Sequence, residues 1–405
     1  MNYRYSAAAR NLGSSAVREI LKLTQGGDMI SLAGGLPAED LFPLEAVRSA
    51  YESVFREDRG VLQYGLTEGY APLRGTIADR LRHQGMPVSA DELLLTTGSQ
   101  QAIDLICRTL IDPGDAVLVE SPTYLAALQV LGSYRAKIIP VDGDEHGMDP
   151  DDLERKLALH RPKLLYAVPT FGNPTGHTWS SARRLAVVEA CRRHGTPILE
   201  DNPYGELSFA PSGQLPPPSL SAVAHSLGCG DLVLYTGTFS KIVAPALRTG
   251  WIAADRSLIA VLARAKQAAD LHSGTVDQRA LEALLRNFDL AGHIAAVSLE
   301  YGVRMKRLSA ELAARAWEGA VWNEPEGGMF LWLELAPGIE TARLLPLALE
   351  QGVAFVPGEV FFAGEPRRNT MRLNFTHTPP ERVPAAADRL ERALAGYRAA
   401  ASVQS

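Results

Sequence analysis

Residues 232–254, "LVLYTGTFSKIVAPALRTGWIAA", open as an apolar run and then set a lysine, Lys241, among glycine and hydroxyl side chains. Leu232 to Tyr235 is short and unbroken, the pattern of a strand covered on both faces. Such strands belong to parallel sheets, so Lys241 falls just beyond a carboxyl edge, where open α/β sheets bind ligands. Most lysines at turns simply face water. Here Thr236, Thr238 and Ser240 supply hydroxyls, Gly237 lets another group approach the backbone, and Arg248 follows shortly after. An amine beside groups that hold anions points to chemistry.

On either side of that stretch the chain alternates strands with helices. "LEAVRSAYESVFR" (44–56) has helical period, and "LLLTTGSQQAIDLICRTLI" (93–111) reads as strand, turn and helix. "AVLVE" (116–120), "KLLYAVPTF" (163–171) and "TPILED" (196–201) are further apolar runs, separated by helical stretches such as "SSARRLAVVEACRRHG" (180–195). This alternation predicts an α/β fold, a mainly parallel sheet with helices on both faces. "SGQLPPPSL" (212–220) reads as loop, and Arg256 to Arg315 as one long helical span between domains. "GGMFLWLEL", "GVAFVPG" and "TMRLNFT" then read as strands of a smaller α+β unit, and the Ala-rich C-terminus as a surface helix. The expected division is an N-terminal arm over 1–45, a large domain over 46–285 and a small domain over 286–405.

A chain of 405 residues, 46% hydrophobic, has room for both domains. Its formal net charge of -6 leaves no electrostatic footprint for nucleic acid or an anionic membrane, so small molecules are the expected partners. Cys107, Cys191 and Cys229 lie far apart with no metal or redox spacing, and read as reduced thiols of a cytoplasmic protein. No metal is expected. The N-terminus lacks a signal-peptide core and no apolar run approaches membrane-spanning length, so neither export nor membrane insertion is expected.

Other residues gather at strand ends. Asp201 ends "TPILED", Tyr204 follows in "DNPYGEL", Asn173 begins "NPTG", and Gly98, Ser99 and Gln100 open a helix. Taken singly, Asp201 reads equally as a helix cap, "NPTG" as a turn and the Gly-Ser pair as a capped helix start. Together they meet the needs of one cofactor. A phosphorylated pyridine aldehyde requires an amine, a carboxylate for its ring nitrogen, donors to its phenolate oxygen and a helix N-terminus for its phosphate.

With these residues in view, the chain resembles the fold type I pyridoxal 5'-phosphate (PLP) aminotransferases over nearly its whole length, and is most similar to the 2-aminoadipate and kynurenine aminotransferase branch. The resemblance rests on "SLAGGLPAEDLFP", "LQYGLTEGYAPLR", "TTGSQQAIDL", "ESPTY", "GNPTG", "EDNPYGEL", "GTFSK", "ALRTGW", "PEGGMFLW", "VAFVPG" and "MRLNF", in that order. It implies an aspartate aminotransferase-like fold and a homodimer with shared active sites, moving an α-amino group from an L-amino acid to a 2-oxo acid. Lys241 is then the lysine of the internal aldimine, and Asp201 pairs with the pyridinium nitrogen. Tyr204 and Asn173 bond the ring oxygen, and Tyr124 stacks on the ring. Ser99, Gln100, Thr238, Ser240 and Arg248 hold the phosphate, with Tyr64 reaching the phosphate of the neighbouring subunit. Arg372 takes the substrate α-carboxylate, Gly34 and Gly35 let the N-terminal segment close over it, and Arg18 stands where that branch meets acidic side chains. Aromatic and branched-chain donors stay open beside 2-aminoadipate. Other PLP chemistry, elimination or oxidation, is an alternative. A ligand sensor without turnover is a third, against which stand the acidic balance and the lack of room for a DNA-binding region before residue 31.

Overall fold

The computed structural model describes residues 3–10, 16–23, 28–57, 59–210, 216–315 and 317–404. Its large sheet holds β1 (Leu93–Thr96), β2 (Ala116–Glu120), β3 (Lys137–Val141), β4 (Leu164–Ala167), β5 (Ile198–Asp201), β6 (Val233–Thr238) and β7 (Gly250–Ala253). Their spatial order is β1-β7-β6-β5-β4-β2-β3. From β6 to β3 every pair is parallel. Every residue of β4, β5 and β6 is buried, which is why their apolar residues follow one another instead of alternating with exposed polar ones.

Alternation still sorts the polar residues. Neighbours in a strand point to opposite faces, so the two acids that end β5 part company. Glu200 accepts the N–H groups of Leu220 (2.9 Å) and Ser221 (2.8 Å) at the start of the helix Leu220–Ser226. Asp201 is left facing the other way, at the carboxyl edge.

β7 is the strand that the sequence reading leaves out, and it runs antiparallel to both β1 and β6. Its first residue therefore lies at the edge where the parallel strands end, which brings Arg248 beside the start of the helix α1 (Ser99–Leu110). Gly237 pairs with Trp251 of β7, and a Cβ on it would lie 2.2 Å from the indole. This glycine makes room for a core tryptophan, not for a ligand.

The helices α2 (Leu125–Ser133) and α3 (Ser181–His194) follow β2 and β4. The expected single span from Arg256 to Arg315 is three helices, α4 (Arg256–Ala269), α5 (Thr275–Asn287) and α6 (Leu290–Ala314). Leu271 turns the chain with a φ of 66° after α4, and Asp289 restarts it by accepting the Gly292 N–H (2.9 Å) as the cap of α6. Residues 211–215 of the loop read at 212–220 lie outside the described residues, and its helix begins at Leu220.

The small sheet is antiparallel throughout, with β8 (Val321–Trp322), β9 (Phe330–Glu334), β10 (Val356–Pro357) and β11 (Thr370–Asn374) in the order β8-β9-β11-β10. The Ala-rich C-terminal helix α7 (Val383–Gln404) is not a mere surface element. Ala386, Ala387, Leu390, Ala393 and Leu394 are buried, the small side chains letting it lie close to its neighbours. The N-terminal segment is sewn to the small domain: Ile30–Ser31 pairs with Val353–Ala354 in a two-stranded sheet of its own, and the Leu32 carbonyl accepts the Asn374 N–H (2.8 Å) of β11. Among the described residues no helix is long and apolar enough to cross a membrane.

Candidate active site

A cavity of about 800 Å³ opens at the carboxyl edge of the large sheet, and both Lys241 and Asp201 line it. Lys241 is half-buried, and its Nζ donates to the Gly35 carbonyl (2.8 Å). Burial, with the charges of Arg372 and Arg248, pushes its amine down to about 8. Asp201 is only 2% exposed. Burial pushes its carboxyl up to about 6, although two hydroxyls oppose that shift, Thr236 on Oδ1 (2.9 Å) and Tyr166 on Oδ2 (2.9 Å). Both hydroxyl partners are neutral. A buried acid in that setting favours a cationic guest.

Asn173 joins the two halves of the cavity. Its Oδ1 accepts Arg372 Nη1 (2.9 Å), which leaves its Nδ2 to donate to the Tyr204 hydroxyl (3.3 Å). Arg372, in the middle of β11, also donates Nη2 to the Ala33 carbonyl (2.6 Å), and its guanidinium lies over Phe330 (4.2 Å) and Phe361 (5.1 Å). Burial pushes it down to about 10, so it stays charged at neutral pH. Its Nε is buried without a hydrogen-bond partner among the described residues. Burial likewise pushes the Tyr124 phenol up to about 12 and that of Tyr204 further, so both act as neutral hydroxyls.

The third part is a cup for an anion. Gly98 turns with a φ of 81° to begin α1, whose first N–H groups and dipole face the cavity beside Ser99 and Gln100. The Arg248 guanidinium crosses this turn and donates to the Thr97 carbonyl (3.2 Å). The Thr238 hydroxyl accepts the Ser240 N–H (3.1 Å) and stands 2.9 Å from the Ser240 hydroxyl, on the same wall.

The structure thus brings Arg18, Ser99, Gln100, Tyr124, Asn173, Asp201, Tyr204, Thr238, Ser240, Lys241, Arg248 and Arg372 to one cavity. Gly34 is not among its walls. It is buried with Leu36 and Leu21 against it, and the N-terminal segment meets the site through the Gly35 and Ala33 carbonyls instead. Tyr64 also lies away from the cavity of its own chain, on a surface loop, 79% exposed. Sequence reasoning gave no role to Tyr166, Phe330 or Phe361, and took Thr236 as a hydroxyl near Lys241 rather than as the partner of Asp201. Tyr166 carried a faint signal as the one hydroxyl in the apolar strand "LLYA", and Thr236 pairs in register with Asp201.

A lysine amine, a buried acid without a cation and an anion cup around one cavity define a PLP enzyme of the aspartate aminotransferase-like fold. The family described as aminotransferase class I and II matches residues 27–390. The chain belongs to that family, and it is a transaminase that uses PLP to move an amino group to a 2-oxo acid. It is 41% identical, over 94% of its length and 91% of the relative's, to aromatic-amino-acid aminotransferase 1 of Thermococcus litoralis. Among solved structures, it superposes on an alpha-aminoadipate aminotransferase of Thermus thermophilus complexed with N-(5'-phosphopyridoxyl)-L-leucine, with a TM-score of 0.91, 36% identity and 98% of each chain covered. It is equally similar to a kynurenine aminotransferase of Pyrococcus horikoshii in complex with PMP, with a TM-score of 0.90, 38% identity and 97% of each chain covered.

Proposed function

We propose that Lys241 is the residue that would hold the cofactor's aldehyde carbon, and that its Nζ would move the proton at the donor's Cα. Bound PLP supplies the electron sink that makes this proton acidic. Asp201 would hold a proton on the ring nitrogen, Tyr204 and Asn173 would bond the ring oxygen, and Tyr124 would stack on the ring. Ser99, Gln100, Thr238, Ser240 and Arg248 take the phosphate. Arg372 orients the substrate α-carboxylate with its planar fork, which a lysine would not do. Positioned proton transfer of this kind contributes roughly 10² to 10⁴ in rate. The observation that carries the reading is the buried Asp201 carboxylate, bonded by two neutral hydroxyls and sharing one cavity with a lysine whose amine is lowered toward neutrality.

The donors we propose are aromatic amino acids and 2-aminoadipate. Leu125, Val130 and Phe361 offer apolar wall to a ring, and Arg18 is an exposed cation on the same cavity for a side-chain carboxylate. The unit is proposed as a cytoplasmic homodimer, supported by three buried free cysteines and by the exposed Leu62, Tyr64 and Leu66 on one loop. Within it, residues 1–45 act as an arm, 46–285 as the cofactor domain and 286–405 as the small domain.

Borohydride reduction of the yellow holoenzyme followed by peptide mapping tests the assignment. The label is expected on Lys241; a label on another lysine refutes it. Single-turnover spectra across a panel of amino acids then rank the donors.

A further inference from the structure

Behind the anion cup lies an ionic cluster that none of these roles uses. Lys266 of α4 is fully buried. Its Nζ donates to Gln101 Oε1 (2.7 Å), Ser273 Oγ (3.0 Å) and both carboxylate oxygens of Asp270 (2.9 Å each). Gln101 Oε1 also accepts the Thr97 N–H (2.8 Å), while its Nε2 donates to Asp270 (2.6 Å). The Thr97 and Ser273 hydroxyls stand 2.8 Å apart. Thr97 precedes Gly98, so the turn that opens the cup is held from behind by a charged cluster built on the buried Lys266. Ammonium and carboxylate offset each other, and their influence on a phosphate is therefore through geometry rather than net charge.

The same segment faces the other way. The Ser273 carbonyl accepts Gln278 Nε2 (2.9 Å) and His272 Nδ1–H (2.9 Å), and Gln278 Oε1 accepts the Tyr70 N–H (2.7 Å). His272 Nε2 accepts the Gly65 N–H (3.3 Å), and its ring meets Tyr64 edge to face at 5.7 Å. One segment, anchored by the buried Ser273 and Gln278, thus holds both the cup and the loop that carries Tyr64.

We propose that residues 270–278, clamped by Lys266, form a bridge that positions two different phosphate contacts. Through Gln101 and Thr97 the bridge sets the cup of its own subunit. Through His272 it sets the Tyr64 phenol offered to the other subunit's site. This rests on the homodimer proposed above and on Tyr64 reaching the phosphate of the neighbouring subunit, as the family resemblance implies. Lys266, Gln101 and His272 are positioning residues, because none of them lines the cavity.

Hybrid dimers test it. When one subunit carries Lys241→Ala, a single attachment site remains, and a second substitution can be put in the subunit that supplies its cup or in the one that supplies Tyr64. The readout is the fraction of Lys241 fixed by borohydride as PLP, or pyridoxal lacking the phosphate, is titrated into the apoprotein. Gln101→Leu should weaken PLP about tenfold only in the cup-supplying subunit, the scale of one lost hydrogen bond to a charged group. His272→Phe should act only from the Tyr64-supplying subunit, and Lys266→Met from either. Pyridoxal binding should not move. Equal losses for PLP and pyridoxal, as from a loosened fold, or His272→Phe acting on its own subunit's site, overturn the bridge. Should Lys266→Met fail to fold, the other two variants decide. Tyr64→Phe separates the premises: no effect across the dimer sinks the shared-site reading, whereas an effect that His272→Phe does not share sinks only the bridge.

Discussion

Lys241 stands near two arginine charges, and these together with burial bring its amine to about 8. Only the neutral amine attacks an aldehyde. Capture of PLP by the apoprotein should therefore quicken as pH rises and level off above about 8. Arg372→Gln removes one of those charges and should move the midpoint upward; stopped-flow absorbance checks both, and an unmoved midpoint counts against the electrostatic account. Asp201 responds with the opposite sign. Its carboxyl is raised from 3.8 to about 6, so the folded apoprotein keeps a proton that the unfolded chain releases, and its stability falls as pH climbs through that window. Asp201→Asn keeps both hydroxyl partners and should stabilise the apoprotein above that window by roughly 3 kcal/mol while weakening PLP binding. Denaturant unfolding with and without cofactor measures the pair of effects, and an apoprotein destabilised by the change contradicts it. Both residues were legible from their place at strand ends. Their partners were not, because the Tyr166 and Thr236 hydroxyls and the Gly35 carbonyl reach them across the fold.

The turn into α1 and the strand β7 make the anion cup jointly. A Cβ on Gly98 would lie 2.5 Å from Arg248 Nη2, at a φ of 81° that a side chain seldom adopts. Gly98→Ala should push the guanidinium aside and weaken PLP by roughly 1–3 kcal/mol, with pyridoxal affected much less. Equilibrium titration of the two cofactor forms reads the difference, and an equal loss for both would place the damage elsewhere. The glycine and the arginine were each visible in the sequence as anion-binding types. Their meeting was hidden, because β7 reads locally as a plain apolar run and only its antiparallel insertion between β1 and β6 turns Arg248 toward α1. Periodicity also ran α4, α5 and α6 together. It registers a helical face but is blind to a φ of 66° at Leu271.

Assembly adds a surface argument. Phe55, Leu62, Tyr64 and Leu66 are all more than half exposed, and apolar side chains clustered so closely in the chain call for a covering partner. Leu62→Glu combined with Leu66→Glu should convert the proposed dimer to monomers in sedimentation velocity, and the monomer should lose PLP on gel filtration. A stable dimer from the double variant would move the interface elsewhere. The order of amino acids alone was enough for the sheet type and for singling out Lys241, Asp201 and the glycine-serine turn, because buried parallel strands announce themselves as short apolar runs and these residues sit at their ends, whereas Arg372, in mid-strand of the small sheet, came only from the family resemblance. Tertiary structure alone decided what surrounds those groups: the hydroxyls on Asp201, the Phe330 and Phe361 faces on Arg372, the indole over Gly237 and the cluster joining Lys266 to Thr97. These contacts link residues remote in the chain, and strand order and helix packing select such partners where local pattern carries no record of them.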